Sequence, residues 1–95
     1  MSAFGLIVQI VAVEGRRQEL MEILHSAMDG LPGCLNHTVA ASKEDADTIW
    51  VSEVWENQAA HQAALEQPEV QAAVSKGRPL IAQYSQVAQT EPMTG

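Results

Sequence analysis

Phe4-Gly5-Leu6-Ile7-Val8-Gln9-Ile10-Val11-Ala12-Val13 and Thr48-Ile49-Trp50-Val51-Ser52-Glu53-Val54-Trp55 decide the fold. The first stretch is apolar and β-branched at almost every position. It is too short to cross a bilayer and too continuous for a strand with one wet face, so it reads as a strand buried on both sides. The second behaves alike: Ile49, Val51 and Trp55 share one side with Glu53, while Trp50 and Val54 share the other. A sheet built on two such strands needs cover on both faces.

The segments around them supply cover for one face. From Arg16 to Gly30, Leu20, Ile23, Leu24, Ala27 and then Leu31 recur at helical spacing, and Gly30 with Pro32-Gly33 ends the helix. Cys34 to Ser42 alternates, and the polar turn Lys43 to Asp47 joins it to the second apolar strand as a hairpin. Asn57 is an N-cap for a helix through Leu65, Pro68 suits the first turn of a further helix to about Lys76, and Ala82 to Gln89 is a polar last strand holding Tyr84. The order is βαββαβ, a ferredoxin-like α+β domain. Its helices cover one face only, which leaves Ile7, Val11, Trp50 and Val54 as an apolar patch of several hundred Å². The simplest cover is a second copy, giving a homodimer in which that burial contributes on the order of 10 kcal/mol before association costs.

At 95 residues the chain is expected to form one domain over 1–95, with a core at about 4–90 and a loose tail at 91–95. Lys+Arg 5 against Asp+Glu 12 leaves a net charge of −7, with Arg16, Arg17, Lys43, Lys76 and Arg78 scattered. Nucleic-acid phosphates and anionic membrane surfaces are therefore excluded as partners. The single cysteine, Cys34, and a start without a basic leader point to the cytoplasm.

Glu14-Gly15-Arg16-Arg17-Gln18-Glu19-Leu20, Leu31-Pro32-Gly33-Cys34-Leu35, Val51-Ser52-Glu53-Val54-Trp55-Glu56-Asn57 and Pro68 together resemble the antibiotic biosynthesis monooxygenase domain over about residues 4 to 90. Gly77-Arg78-Pro79-Leu80-Ile81 is similar to a branch of that family known as quinol monooxygenases. The resemblance implies a dimeric α+β barrel. It also implies oxidation of a quinol or phenol-like small aromatic by molecular oxygen without metal, flavin or haem, in a pocket between sheet and helices. The residues of the haem-degrading branch are absent, since its Asn, Trp and His positions read Val8, Ala64 and Val74 here. An Asn position of the polyketide oxidases reads Val51, and two His positions of quinol-type members read Ala64 and Glu69. The alternative reading is accordingly a non-catalytic small-ligand-binding or stress-related dimeric barrel protein.

Within that frame the hairpin register places His37 opposite Glu53 and Leu35 opposite Trp55. His37 and Glu53 then form a candidate proton-handling pair, the imidazole accepting a phenolic proton. A buried imidazole and carboxylate satisfying each other is the structural alternative. The resemblance adds His61, which with Trp55 positions the ring, and Val51 as a substrate contact. Arg78 is a clamp for an anionic oxygen or a helix cap. Cys34 reads as core filler and His25 as a border residue, and Tyr84 belongs either to the pocket or to the surface. His37, Glu53 and His61 match no metal-ligand spacing, so no metal is expected, and the resemblance implies that no cofactor is used.

Overall fold

A computed structural model describes residues 3–93. Strand β1 (Phe4–Ala12) and helix α1 (Arg17–Met28) are followed by β2 (Cys34–Ala41) and β3 (Thr48–Trp55). Helices α2 (Gln58–Leu65) and α3 (Pro68–Gly77), a short 3-10 turn (Arg78–Leu80) and β4 (Ile81–Thr90) complete the chain. The sheet order is β2-β3-β1-β4 with every neighbouring pair antiparallel. The two strands whose sequences are apolar on both faces are the two inner ones. The edges fall to β2 and β4, which carry Asn36, Thr38, Gln83, Gln86 and Gln89. This is the expected ferredoxin-like α+β fold.

Leu6, Val8, Ile10, Ala12, Ile49 and Val51 form the buried side of the sheet and pack with Leu20 of α1 and Leu80 of the 3-10 turn. On β3 the indoles part as parity requires: Trp55 is 2% exposed on the helix side and Trp50 is 39% exposed on the open side. Ile7, Val11 and Val54 share the open side with Trp50 and are half-buried by their neighbours.

Local chemistry fixes how the helices sit. The Asn57 side chain accepts from the Ala60 amide at 2.8 Å, the cap its residue type predicts. Gly33 adopts φ +82, and a Cβ there would come within 2.7 Å of the Ala60 Cβ, so only glycine lets α2 approach the start of β2 this closely. At the opposite end Arg17 Nη1 donates to the carbonyls of Ser42, Asp45 and Thr48 at 3.1, 2.8 and 3.3 Å. Asp47 Oδ1 accepts from the Gly15 amide at 3.1 Å. The β2–β3 turn is thereby tied to the entry of α1.

One register expectation is corrected. His37 pairs with Glu53, but Cys34, not Leu35, faces Trp55, because an irregularity between Cys34 and Asn36 inserts one extra residue into β2. Leu35 is left 54% exposed. Glu91 to Met93 carry no regular structure, and the rest of the expected loose tail, Thr94 and Gly95, lies outside the described residues. Among the described residues no helix is long and apolar enough to cross a membrane.

Candidate functional site

Between the sheet and the three helices lies a cavity of about 540 Å³. Its floor is the buried side of β1 and β3, its walls are Leu24 and Met28 of α1 and Val70 and Val74 of α3, and small residues such as Ala64, Ala73 and Gly77 leave the space open. A mostly apolar hollow with a few convergent polar groups is the ordinary form of a small-molecule site. Those groups are Glu53 and Trp55 from β3, His61 from α2, Arg78 from the 3-10 turn and Tyr84 from β4.

Three of them form a built corner. The Trp55 Nε1–H donates to Glu53 Oε1 at 2.8 Å. His61 Nε2 stands 4.0 Å from the same oxygen, with the two side chains only 16% and 12% exposed. The imidazole is also set against two rings, edge-on to Trp55 at 5.4 Å and tilted to Phe4 at 5.5 Å. The flanking rings and the low exposure restrict where the imidazole can turn.

Of the residues singled out in the sequence, Val51, Glu53, Trp55, His61 and Arg78 all line the cavity. His37 does not. It holds its register place opposite Glu53, but its ring lies 5.5 Å from that of His25, at the contact of β2 with α1. The reason is that the Glu53 carboxylate is drawn to the Trp55 N–H two residues along its own strand, next to His61, so the cross-strand neighbour is not its partner. Tyr84, which the sequence left open, is a cavity residue: it pairs with Ile10, whose side chain is on the helix side. The partner strand's register is the signal that settles it. Arg78 is exposed at the C-terminal end of α3. Among the described residues no three His, Cys, Asp or Glu side chains gather as a metal site.

Tyr84 is more than half exposed, and the partial desolvation of its phenol raises it above its ordinary 10.0, with the nearby Glu53 charge raising it further. Burial also raises the Cys34 thiol, against a lowering contact with the Asn36 backbone and with a further push from Glu53. Tyr84 therefore stays a neutral donor at the cavity rim through the physiological range. Since the folded state holds this proton more tightly than the unfolded one, the associated stability is complete below about pH 10 and is lost as pH rises through the folded value. Tyr84 is the chain's only tyrosine, so tyrosinate absorbance reads it directly. Its midpoint is expected above that of a free tyrosine and is expected to fall, without reaching the free value, in Glu53→Gln. A midpoint at or below the free value contradicts this.

The profile of antibiotic biosynthesis monooxygenase sequences matches residues 3–76. The chain belongs to the antibiotic biosynthesis monooxygenase family. A Chloroflexus aurantiacus crystal structure carrying that family's name is 40% identical, covers 99% of this chain and 96% of its own, and superposes with a TM-score of 0.91. A Pseudomonas aeruginosa structure, 18% identical over 99% of this chain and 97% of its own, reaches a TM-score of 0.85. A variant of SnoaB, a cofactor-independent oxygenase from Streptomyces nogalater, reaches 0.80 at 15% identity, over 100% of this chain and 97% of its own. At such identities the last two share the fold. No curated protein matches the chain. Within the matched segment, the Pro32-Gly33 turn seats α2 and the Glu53-Val54-Trp55-Glu56 strand end builds the polar corner.

Proposed function

We propose that this antibiotic biosynthesis monooxygenase family member is a cofactor-independent monooxygenase that oxidises a quinol or phenol-like small aromatic with molecular oxygen. The carrying observation is the corner of Glu53, Trp55 and His61 set into an otherwise apolar cavity of about 540 Å³. His61 takes the phenolic proton, and Glu53 beside it stabilises the imidazolium that results. The electron-rich ring then reduces oxygen: one oxygen atom enters the ring, the other leaves as water, and a hydroquinone becomes a hydroxyquinone, the ring supplying all four electrons. The Trp55 ring is a flat wall and Val51 an apolar one for the substrate, and Arg78 at the rim meets negative oxygen. In this scheme His61 has the role that register alone gave to His37. A lone cysteine is consistent with a cytoplasmic setting.

The proposal includes a two-fold dimer over the open sheet face, where Trp50 is 39% exposed.

Oxygen uptake over a panel of hydroquinones and phenols tests the reading, with isotopically labelled oxygen followed into the product. One labelled atom per product molecule is expected, and His61→Ala should lower kcat by about 10²–10⁴-fold. The buried, apolar Val51 and Ala64, at 4% and 5% exposure, favour the second reading, a ligand binder without chemistry. Thermal stabilisation by these compounds without uptake would select it.

A further inference from the structure

The cavity wall is so largely apolar that the few polar atoms facing inward decide what a ligand must present to them. Glu53 contributes one of these, with its side chain only 12% exposed. Its Oε1 is occupied by the Trp55 Nε1–H at 2.8 Å, with His61 Nε2 4.0 Å from the same atom. Oε2 has no hydrogen-bond partner among the described residues. No fully buried side-chain nitrogen or oxygen among them is left unpaired, so Oε2 keeps accessible surface, and Glu53 lines the cavity. A carboxylate oxygen only accepts hydrogen bonds. The indole N–H is already spent on Glu53, and His61, the base of the proposed reaction, meets a ligand hydroxyl with a lone pair, while Tyr84 and Arg78, the remaining donors of the lining, are solvent-exposed at the rim. A ligand oxygen that carries a hydrogen therefore gains a charge-assisted bond at this end of the cavity. A carbonyl oxygen there meets lone pairs with no donor between them.

We infer that Glu53, held by Trp55, makes the pocket selective for the reduced, hydroxyl-bearing form of an aromatic ring over its oxidised carbonyl form. The inference rests on the reading of this pocket as a site for phenolic rings and extends it: the group that anchors the substrate repels the product. Turnover converts the hydroxyl held by Glu53 into a carbonyl and puts the new hydroxyl on a different ring carbon, so loss of the Glu53 bond promotes release without any moving part. Trp55 also dictates what a substitution does. In Glu53→Gln the amide oxygen is retained by the Trp55 N–H, which turns the amide NH₂ toward the cavity. The acceptor becomes a donor, and the preference should invert.

The test is anaerobic calorimetry with 2,3-dimethyl-1,4-naphthohydroquinone, its dimethyl ether and 2,3-dimethyl-1,4-naphthoquinone. Their blocked ring carbons prevent both oxygenation there and addition of the Cys34 thiol. The wild-type chain is expected to bind the hydroquinone about 10–100-fold more tightly than either the ether or the quinone. Glu53→Gln should bind the quinone more tightly than the hydroquinone. Equal wild-type affinities for hydroquinone and quinone overturn the inference and leave the aromatic pocket standing; no binding of any of the three overturns both. If Glu53→Gln does not fold, the wild-type comparison of hydroquinone with ether decides alone.

Discussion

Trp55→Ala is expected to remove about 3–5 kcal/mol of stability, the range for deleting a large buried aromatic. Trp55 is 2% exposed, with Leu20 and Ile49 one of the largest fully buried side chains. It packs edge-on against His61 and binds Glu53 through its N–H. Truncation thus opens a void beside a cavity that already exists and leaves a shielded carboxylate without its donor. Domains of this size are stable by about 5–15 kcal/mol, so the loss is a large share of the total. A fall in melting temperature of roughly 12–40 °C is expected at fixed protein concentration. Trp55→Phe separates the two contributions, since it keeps most of the packing and lacks the N–H. Its stability should lie between the others, and its Glu53 should no longer be held. Denaturant titrations of the three proteins measure this, and a loss below about 1 kcal/mol for Trp55→Ala would show that the indole is not the keystone of the corner.

The second large effect is on assembly. The open side of the sheet carries Trp50 with Ile7, Val11 and Val54, and the three helices leave it uncovered. In sedimentation the chain is expected at twice its mass of 10.3 kDa, and Trp50→Glu is expected to weaken the dimer at least about a thousandfold. Two-fold symmetry makes one substitution act twice. Each copy loses about 1.5–3 kcal/mol of aromatic burial. Each also buries a carboxylate without a partner among the apolar residues of that face. Because the helix side is untouched, the separated chain should keep its helices by circular dichroism if it stays folded. A monomeric wild type at all concentrations, or an undiminished dimer in Trp50→Glu, would remove the dimer from the proposal.

How much of this was legible without coordinates differs from element to element. The double-sided apolarity of β1 and β3 sufficed to make them inner strands, and parity along β3 was enough to send Trp50 and Trp55 to opposite faces. Asn57 announced its cap and Pro68 its helix start. These are local matters, decided by backbone sterics and by a period of two or of 3.6 residues. The extra residue at Leu35 was not legible, because one inserted position near the end of a short edge strand barely disturbs an alternating pattern while it shifts the pairing beyond it, Cys34 with Trp55.

The site divides along the same line. Sequence by itself determined that Glu53 and Trp55 share a face, since residues two apart on a strand must, and that the helix after β3 carries a histidine among alanines. Only the tertiary structure decided which histidine Glu53 meets. His37 is its neighbour across two strands, yet the carboxylate leans to the indole N–H, and the His61 imidazole arrives from a helix whose position is set by Gly33 and the Asn57 cap. Cross-strand register fixes where Cβ atoms stand. Where a flexible side chain ends depends on the donors and rings that distant segments bring to it, and those are assembled only when the helices close over the sheet.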